Sequence, residues 1–153
     1  MDSIEIIRKF VIEPIKQLDP SLSIHPTLVY CTLSVETLGA LIDTKPIRAR
    51  EQSKQRFASA LYHLFPNQYG FVNKESFLYD SLRNHSAHHL VPSAHLIITS
   101  RSETLRHLDL HNGQRVVDVT QFAQDVLNAA QVLIRKIETD QIKSKHVADI
   151  QFL

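Results

Sequence analysis

Within the run YDSLRNHSAHHLVP, residues 79–92, an arginine, an asparagine and three histidines fall between positions 83 and 89. Arginine carries a permanent, planar fork that matches phosphate, and histidine exchanges a proton close to neutrality. These groups suffice for metal-free RNA cleavage. One histidine, or a water, deprotonates the 2′-hydroxyl, Arg83 stabilises the charged phosphorane, and a protonated histidine serves the leaving 5′-oxygen. The neighbourhood in sequence favours an anion: no acidic residue occurs between Asp80 and Glu103, whereas Arg83, His85, His88, His89, His95 and Arg101 all do.

On an ideal α-helix Asn84 and His88 share a face, as do Ser81, His85 and His88, while Leu78 and Leu82 take another side. The polar residues thus form a stripe of their own. Arg83 lies about 140° around from His88 by the 3.6-residue repeat, close enough for its long side chain to reach a common cleft. Catalytic candidates are therefore Arg83, Asn84 and His88, with His85, His89, Tyr79 and Asp80 as accessory candidates; Tyr79 and Asp80 either orient the site or merely flank it.

Competing readings exist for each of these. A helix C-terminus attracts Arg and His through the helix dipole without any catalytic role. The spacing of His85, His88 and His89 also suits metal ligation, but no Asp, Glu or Cys lies nearby in sequence to complete a zinc set, so no metal and no cofactor is expected. The run KPIRAREQSKQR offers Arg48, Arg50, Lys54 and Arg56 either as an RNA-backbone patch or as a solvated helix face.

The elements that must position this chemistry are mostly helical. Ile4, Ile7, Val11, Ile15 and Leu18 recur at helical spacing, with Pro14 set to bend or end that helix. A second helix begins near Pro26, with Leu28, Thr32, Val35, Leu38 and Ile42 along one side and Gly39 and Ala40 leaving room for a close neighbour. A third spans about 47–65, terminated by Pro66 and Asn67, and a fourth about 74–89, stopped before Pro92. HLIITS, RHLDL and QRVVDV then read as short strands, the last two flanking His111-Asn112-Gly113, a hairpin signal. A long final helix starts near Thr120, with Asp118 and Gln121 placed as a capping-box pair. The expected fold is mainly α: an up-and-down bundle of about five helices with an appended small antiparallel hairpin or sheet inserted at about 94–119.

The chain has 153 residues, enough to bury roughly two thirds of its unfolded surface, so one domain over 1–153 is the natural reading. Its net charge of +1 gives no general pull towards nucleic acid or membrane, so any anion binding must be local. The single cysteine, Cys31, falls in an apolar helical pattern and reads as a buried core thiol in a reducing compartment. No signal peptide is legible, and no run approaches the roughly 18 apolar residues of a membrane span, which points to the cytoplasm.

The order Arg83-Asn84, three residues, His88 resembles the motif of HEPN domains, helical-bundle proteins in which an Arg, a polar residue and a His mark the active helix. The resemblance covers the motif and the surrounding bundle, residues 1–90 plus the last helix; the hairpin of about 94–119 is an elaboration that many members lack. It implies a metal-independent ribonuclease of the kind found in toxin, antiviral and RNA-processing systems. The alternative it also implies is a non-catalytic module binding a nucleotide, RNA or a protein such as an antitoxin. HEPN relatives commonly form two-fold dimers, which here would gather Arg83, Asn84 and His88 of both chains in one cleft. The small residues Ser86 and Ala87 would permit that approach, and the apolar tail Val147 to Leu153 would add contact area.

Overall fold

The computed structural model describes residues 1–148, with Ser86 and Ala87 as backbone only. Helix α1 covers residues 3–17 and is continuous through Ser3–Ile7, a widened π-turn at Arg8–Ile12, and Glu13–Gln17. The cause is Pro14: it has no N–H to give to the carbonyl of Phe10, and its ring would crowd that carbonyl. The turn opens instead, with Glu13 N–H donating to Arg8 O. The Tyr30 hydroxyl donates to Phe10 O at 2.9 Å. Pro14 therefore deforms the helix without ending it.

Helix α2, Ile24–Ile42, buries Leu28, Cys31, Val35 and Leu38, a three-and-four spacing that lays one stripe against α3, Ser53–Leu64. Gly39 is the point of closest approach. A Cβ built there would stand 2.0 Å from the carbonyl oxygen of Arg56, so only a residue without one fits. The expected third helix began near 47, but α3 starts at Ser53. Residues 46–51 form turns because the carbonyls of Pro46 and Ile47 accept from the Arg56 guanidinium, at 2.8 and 2.7 Å.

A short helix α4, Asn67–Val72, follows Pro66, where sequence signals predicted only a stop. Lys74–Ser76 makes a 3-10 turn in which Glu75 and Ser76 hold positive φ. Helix α5 then runs over residues 77–89, comprising a π-turn at Tyr79–Asn84 and an α-helical end at His85–His89. Leu90, at φ 53°, terminates it in the left-handed conformation.

Three strands follow: β1 Leu96–Thr99, β2 Leu110–His111 and β3 Gln114–Asp118, in the order β1-β3-β2. The β2–β3 hairpin is antiparallel, and its turn carries Asn112 and Gly113 at φ 49° and 79°, as an Asn-Gly turn requires. The sheet as a whole is mixed rather than antiparallel: β1 pairs with β3 in parallel, Leu96 opposite Arg115 and Thr99 opposite Asp118. The connection over 100–109 makes this possible by crossing back, pinned where Leu108 is buried and its N–H donates to Val116 O at 2.8 Å.

Helix α6, Val119–Glu138, completes the bundle with Phe122, Val126, Ala130, Leu133 and Ile137 buried. Asp118 caps it, accepting from Thr120 N–H and Gln121 N–H at 2.9 and 3.1 Å. The reciprocal half of a capping box does not form, because the Asp118 N–H donates to His107 Nδ1 at 3.0 Å rather than to the Gln121 side chain, whose Nε2 donates to Asp125 Oδ1. One hydrophobic cluster takes side chains from all six of these helices and from β1 and β3. The fold is mainly helical with a small sheet, and no helix among the described residues is long and apolar enough to cross a membrane.

Past α6 the chain returns to α1. Val147 O accepts from the Met1 amine at 2.9 Å, Lys145 N–H donates to Ser3 Oγ at 2.8 Å, and Asp2 bridges to His146. Lys145 Nζ reaches Asp43 Oδ1 at 2.7 Å and also donates to the Ala40 carbonyl near the end of α2. The apolar tail expected to add contact area lies outside the described residues beyond Ala148.

Candidate functional site

The motif helix α5 is anchored by Leu78 and Leu82, both buried, and by Tyr79, 8% exposed, whose ring meets Phe57 edge-on at 5.7 Å. Through Tyr79–Asn84 the backbone holds a π-turn, so the 3.6-residue wheel does not govern the faces of this segment. Ser81 shows the consequence. It was expected on the polar stripe with His85 and His88, and it is buried at 5% exposure. At the imidazole-bearing end, His85–His89, the residues His85, His88 and His89 are all exposed.

Arg83 is half-buried, and its Nε–H donates to Glu36 Oε2 at 2.8 Å. Its guanidinium carbon also stands 5.9 Å from the centre of the Tyr79 ring, within cation–π range. The acid-free interval in sequence is thus not acid-free in space, because α2 supplies a carboxylate. Asn84 Nδ2 donates to Asp80 Oδ1 at 3.1 Å on the exposed side, so Asp80 orients the motif amide. The three imidazoles form a loose group, with ring centres 6.1 Å apart for His85 and His89 and 6.4 Å for His88 and His89. No hydrogen bond or ring contact joins Arg83 or Asn84 to these imidazoles among the described residues.

The basic run divides. Arg56 is a structural residue and not part of an RNA-facing patch: it is 5% exposed, its Nε donates to Asp43 Oδ2 at 2.6 Å, and its remaining nitrogens satisfy two loop carbonyls. Burial works against the Asp43 carboxylate, but hydrogen bonds from Arg56 and Lys145 outweigh it and hold the carboxyl below its ordinary range. Arg48, Arg50 and Lys54 are exposed, and Arg48 lines an open groove with Lys45, Lys145 and His146. Cys31 is buried, which pushes its thiol up to about 12 and leaves it inert as a nucleophile.

Sequence reasoning missed two features. Glu36 is one; its signal was that it is the sole acidic residue of α2. The other is a polar chain inside the molecule, formed from four separate segments. Asp118 N–H donates to His107 Nδ1 at 3.0 Å, so the ring proton sits on Nε2, which faces the Tyr69 hydroxyl at 2.8 Å. Tyr69 in turn donates to Asp125 Oδ2 at 2.6 Å. Burial lowers the His107 pKa, with the Asp125 and Asp118 carboxylates opposing the shift, and burial beside Asp125 raises that of Tyr69. Every member of this chain is satisfied, so it fixes the 100–109 connection onto α4 and α6. Comparison with known proteins gives no family model, no curated protein and no solved structure that matches this chain.

Proposed function

We propose that the protein is a metal-independent endoribonuclease of HEPN type, acting in the cytoplasm in a toxin or phage-defence setting. The observation that carries this reading is the division of labour along α5. Arg83 is held half-buried at a carboxylate and a ring, while His88, five residues on, is exposed with two further imidazoles beside it. A phosphodiester at Arg83 would have its developing charge stabilised by the guanidinium. One imidazole takes the 2′-hydroxyl proton as that oxygen attacks phosphorus, and a second, protonated, gives its proton to the departing 5′-oxygen. Asn84 positions the substrate or the imidazole.

The working unit is a two-fold dimer with the α5 helices facing, which pairs His88 of one protomer with its counterpart; light scattering on dilute protein should give twice the mass of one chain. The ribonuclease reading is tested by incubating purified protein with mixed RNA in EDTA across a pH series. Cleavage abolished by Arg83→Ala and by His88→Ala is expected. Intact RNA throughout, or cleavage indifferent to both substitutions, would refute it.

A second reading, a non-catalytic HEPN-like module that binds a nucleotide, RNA or a partner protein such as an antitoxin, is favoured by one observation: the charge of Arg83 is already matched by Glu36. Its signature would be RNA or nucleotide binding without turnover.

A further inference from the structure

We infer that Glu36 is the positioning residue of the site: it holds Arg83 by one edge so that the opposite edge receives a single-stranded RNA phosphate. The inference rests on the anion-binding reading of α5. Arginine presents five N–H groups in a rigid plane. Glu36 Oε2 occupies the one on Nε at 2.8 Å, and the Tyr79 ring lies 5.9 Å from the guanidinium carbon. The Nη groups make no hydrogen bond among the described residues. A guanidinium fixed in this way has lost most of its rotational choice, and the free fork can meet a phosphate through two parallel hydrogen bonds.

The same carboxylate shapes selectivity. It cancels the charge of Arg83 as seen from a distance, so long-range attraction for anions is weak, in keeping with the net charge of +1. It also repels an anion that approaches along the Nε edge. A phosphate is therefore accepted on geometry at short range rather than on charge at long range. The acid comes from α2, whose position against α3 is set by the close contact at Gly39, one turn further on. Helix packing thereby transmits to the orientation of Arg83.

Two variants separate position from charge. Glu36→Gln keeps an oxygen acceptor for Nε and removes the charge; Glu36→Ala removes both. Cleavage of a single-stranded RNA in EDTA, with kcat and KM measured separately, is one readout. Fluorescence anisotropy with the corresponding 2′-deoxy oligonucleotide, which has no 2′-hydroxyl to attack, is the second. For Glu36→Gln we expect kcat within twofold of the parent, binding several-fold tighter, and a salt dependence steeper by about 0.7 in the log–log slope. For Glu36→Ala we expect kcat to fall about tenfold or more, since a displaced stabilising group loses orientation. Equal kcat and equal binding in the parent and both variants would overturn the inference. So would identical behaviour of the two variants. If the parent binds the oligonucleotide but does not cleave RNA, the ribonuclease reading falls while the anisotropy series still decides the role of Glu36. A parent that neither binds nor cleaves overturns both.

Discussion

Replacing Gly39 by alanine should be among the most damaging single-methyl additions to this protein. The new Cβ would lie 2.0 Å from Arg56 O, 2.5 Å from its carbonyl carbon and 2.9 Å from its Cα. All three are backbone atoms of a packed helix, so no side chain can swing aside. A carbon–oxygen contact of about 3.3 Å would need α2 and α3 to part by roughly 1.3 Å. Overpacking of this kind costs about 1–3 kcal/mol, occasionally more. The shift also loosens the ion pair between buried Arg56 and half-buried Asp43, whose outright loss would cost up to about 3–5 kcal/mol. Against this, alanine gains about 1 kcal/mol of helix propensity over glycine. The net loss is about 3 kcal/mol, a fall in Tm of roughly 6–12 °C for a chain of this length. Gly70 is the internal control. It also lies in a helix, but a Cβ there meets nothing nearer than Tyr62 Cδ2 at 4.0 Å, so Gly70→Ala should be neutral or stabilising by up to about 1 kcal/mol. Thermal and urea unfolding of both variants measures the contrast. A Gly39→Ala protein as stable as its parent would refute the packing argument.

Two further outcomes follow from buried polar contacts. The folded pKa of His107 lies below its ordinary 6.5, so the unfolded chain binds the proton first, and the contribution of this group is full above about pH 6.5 and declines as pH falls through the folded value. Urea unfolding between about pH 7.5 and 5 should therefore show stability falling with acidity, and His107→Gln should flatten that slope; an unchanged slope would count against the assigned proton arrangement. Tyr30→Phe removes the hydroxyl donated to Phe10 O and should cost about 1 kcal/mol, and less in a Pro14→Ala background, where residue 14 regains an N–H; a double-mutant cycle with no coupling would separate the two features.

How much of this was legible beforehand depended on the range of the interaction. The Leu28–Val35–Leu38 stripe, the Asn112-Gly113 hairpin and the Asp118 cap are local patterns, and each is present where the residues alone placed it. The small space at Gly39 was legible as well, although not that Arg56 would fill it. Strand direction was not, because the apolar run in HLIITS is the same for either sense, and the parallel pairing of β1 depends on where Leu108 is buried and His107 is bonded. The π-turn at Tyr79–Asn84 escaped because nothing in its composition departs from α-helix, and it carried Ser81 into the interior. Within the candidate site, Arg83, Asn84 and His88 were placed on one helix end, whereas Glu36, 47 positions away, could only be found in space.

The stitching of the segment after α6 onto α1 bears on the order in which the molecule assembles. The bonds from Met1 to Val147 and from Lys145 to Ser3 join residues 146 and 142 positions apart. Compared with a contact closing about 20 residues, loop closure over such a span costs about 1.7 kcal/mol more, from the logarithmic dependence on length. These bonds are recovered only once α6 has docked and shortened the path between the ends. The seam therefore forms late in folding and opens early in unfolding. Because Lys145 also holds the C-terminal end of α2, the first local opening of the native protein should loosen the helix that carries Glu36 before it disturbs the apolar interior.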